Sequence, residues 1–120
     1  MEIMKSAEDY LETMLVLQAR HGYIRSIDIA AELGVTKPSV SYATKRLREN
    51  GYITMDGDGL ISLTQTGLEI AQSMFERHTV LTAVLMQLGV EEVIAREDAC
   101  KIEHVIHKET LTAMKKWLEK

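Results

Sequence analysis

The strongest constraint in this sequence is a piece of punctuation. Between Ser26 and Asn50, two helical patterns are separated only by Gly34-Val35-Thr36, and Pro38 follows at a position suited to the first turn of a new helix. A short helix, a brief Gly-containing turn and a longer helix are the parts of a helix-turn-helix. The longer helix carries Val40, Ala43, Thr44 and Leu47 at core spacing, which leaves Ser39, Ser41, Tyr42, Lys45 and Arg46 for its other sides. Residues 52–55 and 60–63 are apolar or alternating and flank Asp56-Gly57-Asp58-Gly59, a pattern that predicts a β-hairpin.

The flanks complete the picture. Ser6, with Asp9 three residues on, reads as an N-cap and capping box. Leu11, Met14, Leu15 and Gln18 then line one helical face as far as His21-Gly22. After Thr66 the helical period returns: Ala71, Met74, Phe75, His78, Leu81 and Leu85 share a face up to Gly89. A fifth helix is expected over 91–106 and a last one over 108–118. The expected fold is mainly α: an N-terminal winged helix-turn-helix (three helices plus the hairpin, residues 1–64) followed by an all-helical dimerisation domain (residues 65–120).

Charge bears on the partner. The net charge of −4 argues against nucleic acid, but its distribution does not: the stretch from Thr36 to Asn50 carries +3, leaving −7 elsewhere. A basic element on an acidic body binds duplex DNA locally. Small hydroxyls at Ser39 and Ser41 allow close approach to base edges, and lysine and arginine take phosphates. An ordinary solvated face is the plainer reading of the same charges. The hairpin tip, with Asp56 and Asp58 and no base, is expected to add little to phosphate binding. The single cysteine, Cys100, fits a reducing cytoplasm, and the residues from Met1 to Ser6 offer no apolar signal core. No apolar run is long enough to span a bilayer.

A second cluster has ligand chemistry. Cys100, Glu103 and His104 stand at i, i+3 and i+4 in the fifth helix and so fall within an arc of roughly 100°. A thiol, a carboxylate and an imidazole on one face form half of a transition-metal site. Asp9 and Glu12 on the first helix and His78 on the fourth would complete it if those helices pack together. Each has a plainer reading: Asp9 as a capping acid, Glu12 as a surface acid, His78 as a satisfied core imidazole, Cys100 as a small core hydrophobe. His107 projects near this face but is expected at the following turn, where it would cap the last helix.

These residues, in order, resemble a known family. Ser6-Ala7-Glu8-Asp9-Tyr10-Leu11-Glu12, Lys37-Pro38-Ser39-Val40-Ser41, Leu63-Thr64-Gln65-Thr66-Gly67, Glu76-Arg77-His78 and Glu103-His104 look like the diphtheria toxin repressor family of metal-dependent regulators. The chain ends where iron-type members usually continue into an SH3-like domain, so its length resembles the manganese transport regulator branch. The resemblance implies a homodimeric repressor of operator DNA, acting in metal homeostasis, whose metal bridges the two domains. It places ligands at Asp9, Glu12, His78, Cys100, Glu103 and His104. It places DNA contacts at Thr36, Lys37, Pro38, Ser39 and Tyr42, to which the helical face adds Ser41 and Lys45. Asp9 and Glu12 look like the manganese branch, whereas Cys100 looks like the iron branch. Oxygen ligands favour Mn(II), and one thiolate favours Fe(II), Co(II) or Zn(II); Mn(II) or Fe(II) is the expectation. Two rivals remain open, a metal-independent winged-helix regulator of a small organic ligand and a metalloenzyme, although the resemblance implies no catalysis.

Overall fold

Leu11, Met14 and Leu17 recur along one side of α1 (Lys5–His21) and are buried with Tyr10. That spacing turns one stripe inward, and burial of the Tyr10 phenol raises its pKa. The computed structural model describes residues 5–120 and divides the chain into two compact units, the first ending at Gln72 and the second spanning Ser73–Lys120.

In the first unit α1 is followed by β1 (Ile24–Arg25), α2 (Ser26–Leu33), α3 (Lys37–Glu49), β2 (Ile53–Met55) and β3 (Leu60–Leu63). The strands form an antiparallel sheet of order β1-β3-β2, with Ile24 opposite Ile61 and Ile53 opposite Leu63. Ile24, Ile29, Val40, Leu47, Ile53 and Ile61 join the α1 stripe in one core. Gly34 closes α2 at φ 66, a left-handed conformation that favours glycine, and its N–H returns to the Ala30 carbonyl. The Arg20 guanidinium grips Glu32 through two hydrogen bonds of 3.1 and 3.2 Å.

One local expectation is corrected. Ser6 lies inside α1, which is already helical at Lys5, so it does not cap the helix; Asp9 instead stands 4.0 Å from Lys5 Nζ one turn back. Ser26 is the first helical residue of α2, and Arg25 holds the cap position without a side-chain bond. The pairing of Arg25 with Leu60 accompanies an extended backbone that runs up to the helix. β1 itself was not anticipated, because a two-residue strand has no readable period.

α4 (Gln65–Gln87) begins in the first unit. Thr64 starts it by donating its hydroxyl to Gly51 O at 2.7 Å and accepting from Gly67 N at 3.2 Å. Gly67 is required there: a Cβ would lie 3.0 Å from the Tyr52 carbonyl carbon and inside the contact distance of its oxygen.

The second unit contains the rest of α4, then α5 (Glu92–Ile102) and α6 (Lys108–Leu118). Met74, Val80 and Leu81 of α4, Ala95 and Ala99 of α5 and Leu111 of α6 are buried. Phe75, expected on the apolar face of α4, is 47% exposed, and Trp117 is 43% exposed. Among the described residues, no helix is long and apolar enough to cross a membrane.

Candidate metal centre and nucleic-acid interface

α3 is set in place by its own first turn. Thr36 is the N-cap: its Oγ1 accepts from Ser39 N at 3.2 Å and shares a 2.9 Å hydrogen bond with the Ser39 hydroxyl, and Pro38 falls in the first turn. Val40, Thr44 and Leu47 face the core, while Thr36, Lys37, Pro38, Ser39, Ser41, Tyr42 and Lys45 are all exposed. Arg46, read as exposed but not counted as a contact, belongs with them. Its Nη1 donates to the Tyr42 hydroxyl at 3.1 Å, with the guanidinium carbon 5.8 Å from the ring centre. That hydrogen bond, with Glu49 nearby, raises the Arg46 pKa. The i, i+4 spacing of an aromatic and an arginine was the available signal.

The wing explains its own acidity. Asp56 Oδ1 accepts from Asp58 N and Leu60 N, each at 2.9 Å, so this carboxylate closes the turn between β2 and β3.

In the second unit, His78 on α4 meets the C-terminal end of α5. His78 Nδ1 lies 3.7 Å from Cys100 Sγ and 3.2 Å from Glu103 Oε2. On the other side of the same carboxylate, Oε1 lies 3.5 Å from His104 Nε2. Glu103 and His104 side chains are 1% and 2% exposed. One imidazole therefore leans on each oxygen of a buried carboxylate.

The helix beneath them differs from expectation. α5 ends at Ile102 rather than 106, with Glu103 as its C-cap and His104 in the turn beyond. Glu103 N still donates to Ala99 O at 3.0 Å, which keeps Glu103 in helical register with Cys100. The turn beyond the helix is held from a distance: Arg77 Nη1 donates to Glu103 O at 3.2 Å and to Ile106 O at 2.8 Å. His107 holds the N-cap position of α6 but makes no side-chain capping bond.

The donor set fits a divalent transition metal. Ligand atoms of His78, Cys100 and Glu103 all lie within 4.8 Å of one another. The 3.2 Å approach of His78 to Glu103 lacks hydrogen-bond alignment, so Oε2 is buried without a hydrogen bond. A ring nitrogen, a carboxylate oxygen and a sulfur facing a common point suit a shared cation. Asp9 and Glu12 lie one turn apart on α1 of the first unit, both half-buried.

Two family models match in series. Residues 2–59 match the iron dependent repressor N-terminal DNA binding domain, and residues 64–120 match the iron dependent repressor metal binding and dimerisation domain. The chain belongs to the iron-dependent repressor family. It is 39% identical over 113 residues to the transcriptional regulator MntR of Escherichia coli O157:H7, covering 94% of this chain and 73% of that protein. It is 32% identical to an uncharacterised helix-turn-helix-type transcriptional regulator of Methanocaldococcus jannaschii, covering 97% of this chain and 94% of the relative. Among solved structures, the manganese regulator SloR superposes with a TM-score of 0.84 at 28% identity, covering 99% of this chain and 55% of SloR. The chain thus spans about half the length of that regulator and most of the length of the other two.

Proposed function

We propose that this chain is a metal-dependent transcriptional repressor whose DNA affinity is raised by Mn(II) or Fe(II). The reading is carried by one observation: His78 Nδ1, Cys100 Sγ and a Glu103 oxygen without a hydrogen bond face one another in the second unit. The family's division of labour supports it, as does the likeness to SloR, a manganese regulator. We assign residues 1–64 to DNA binding and residues 65–120 to metal binding and dimerisation. The proposed ligands are Asp9, Glu12, His78, Cys100, Glu103 and His104. The proposed DNA contacts are Thr36, Lys37, Pro38, Ser39, Ser41, Tyr42 and Lys45, with Arg46 added. The protein acts in the cytoplasm as a homodimer on operator DNA, and its activity is binding, not catalysis.

A bound cation supplies positive charge among groups that otherwise repel. Glu103 and Cys100 stand one helical turn apart, so a cation would offset the repulsion between their ionised forms, and Asp9 and Glu12 are the acids proposed to join them from α1. The dimer then presents its two α3 helices one helical turn of DNA apart, about 34 Å or a multiple. A preference of about 2.7 kcal/mol for that form gives a roughly hundredfold gain in operator affinity, and DNA tightens metal binding equally.

The test is fluorescence anisotropy on a duplex selected from a random pool by the Mn(II)-loaded protein, titrated with Mn(II), Fe(II), Zn(II) and a chelator. Glu103→Ala and His104→Ala should abolish the metal response while the fold persists. Cys100→Glu should move the ranking toward Mn(II), since it replaces a soft donor by a hard one. Chelator-insensitive binding by the native chain would overturn the reading.

A further inference from the structure

We infer that Arg77 is a positioning residue for the metal centre: its guanidinium holds the Glu103 backbone so that the Glu103 carboxylate meets His78. The inference rests on the metal-centre reading above and extends it to a residue with no ligand role.

α5 ends at Ile102, so the carbonyls of the residues beyond it lie outside the helical ladder. Segment 103–107 then turns toward α6 with no regular hydrogen-bond ladder of its own. Arg77 Nη1 reaches this segment from α4 and binds it at two points, Glu103 O at 3.2 Å and Ile106 O at 2.8 Å. The next residue on α4, His78, meets the side chain of the same glutamate at 3.2 Å. Consecutive residues of one helix thus meet both ends of Glu103: Arg77 holds its carbonyl by a hydrogen bond, and His78 lies beside its carboxylate. The preceding residue, Glu76, ties α6 to the same turn of α4 through Lys115 Nζ at 2.8 Å.

The chemistry asks for arginine. One guanidinium nitrogen carries two hydrogens in a fixed plane and can serve two carbonyls whose separation is set by the turn. A lysine offers a point charge on a flexible stem and does not reproduce that spacing. Arg77 is partly buried, and its Nε lies buried without a hydrogen bond among the described residues. The side chain is committed to the clasp rather than to solvent. A ligand carried on an irregular turn needs such a hold, because displacements near 1 Å loosen a metal site.

The experiment compares the native chain with Arg77→Met and Arg77→Lys. Co(II) titration reads affinity, the thiolate charge-transfer band reports Cys100, and the visible ligand-field bands report geometry. Hydrogen exchange of the metal-free proteins reads segment 103–107. Arg77→Met should bind Co(II) roughly ten- to a hundredfold more weakly, shift the ligand-field bands and exchange faster at 103–107. Arg77→Lys should fall between the two, and it carries the same prediction if Arg77→Met does not fold. Native affinity and spectrum in both variants overturn the inference. So does weaker binding with native bands and native exchange, which would make Arg77 a general stabiliser. A native chain that gives no thiolate band with Co(II) overturns the metal-centre reading itself, and the exchange data then show separately whether the clasp exists.

Discussion

Replacing Glu103 by glutamine should stabilise the metal-free protein while abolishing its response to metal. The carboxylate is 1% exposed, and its Oε2 has no hydrogen bond. Burying an unsatisfied acceptor costs about 1–3 kcal/mol, and a buried ionised group costs more. Glutamine keeps the outline of the side chain and can turn an N–H toward His78 Nδ1, so Glu103→Gln should gain about 1–2 kcal/mol without metal. At about 4 °C per kcal/mol for a chain of this size, the midpoint should rise by roughly 4–8 °C. Metal reverses the order. Ligand binding at a hundred times Kd adds about 2.7 kcal/mol to the native protein, a shift of roughly 10 °C, and adds almost nothing to the variant. Thermal melts with chelator and with excess Mn(II) measure both halves. A variant less stable than the native chain in chelator, or one that keeps the metal-dependent shift, would refute the reasoning.

Other predictions concern the first unit. Gly67→Ala forces a methyl against the Tyr52 carbonyl, which is pinned by its own bond from Thr64 N, so denaturant unfolding should show a loss of about 1–3 kcal/mol. Thr36→Ala removes the cap of α3 and should cost about 1 kcal/mol, with faster hydrogen exchange at Ser39 and weaker DNA binding in anisotropy. Arg20 holds Glu32 below the usual carboxylate range through its hydrogen bonds, so the bridge contributes fully above the ordinary glutamate pKa of about 4.3 and is lost as pH falls through the lower folded value. Stability curves of the native chain and Arg20→Gln should therefore differ at neutral pH and converge in acid. Tyr42→Phe should weaken discrimination among base pairs without changing the salt dependence of binding, since it frees Arg46 but removes no charge.

The parts of this fold that local chemistry dictates were legible in the sequence. Gly34, Thr36 and Pro38 mark the turn between α2 and α3 because each acts on its own backbone, and the hairpin around Asp56–Gly59 is likewise a local event. What escaped was decided at a distance. The turn that follows α5 at Ile102 is held by hydrogen bonds from Arg77, which lies 26 residues before Glu103, and no pattern within α5 announces it. β1 exists only because β3 offers it a partner. Ser6 failed as a cap because α1 is already formed at Lys5. In the candidate site, the shared face of Cys100 and Glu103 followed from helical spacing, and His78 was found as a ligand type on an apolar stripe. The hold of Arg77 on Glu103 and the pairing of Arg46 with Tyr42 required coordinates.

The turn closed by Asp56 bears on how such a protein would search a chromosome. A wing whose tip is closed by a carboxylate brings no cation to the sugar-phosphate rail, so on the proposed reading contact with arbitrary DNA would fall to a few side chains of α3. Fewer neutralised phosphates mean a shallower dependence of affinity on salt and shorter stays at random sites. Residence at an operator would then depend on base recognition and on metal supply more than on bulk electrostatic attraction.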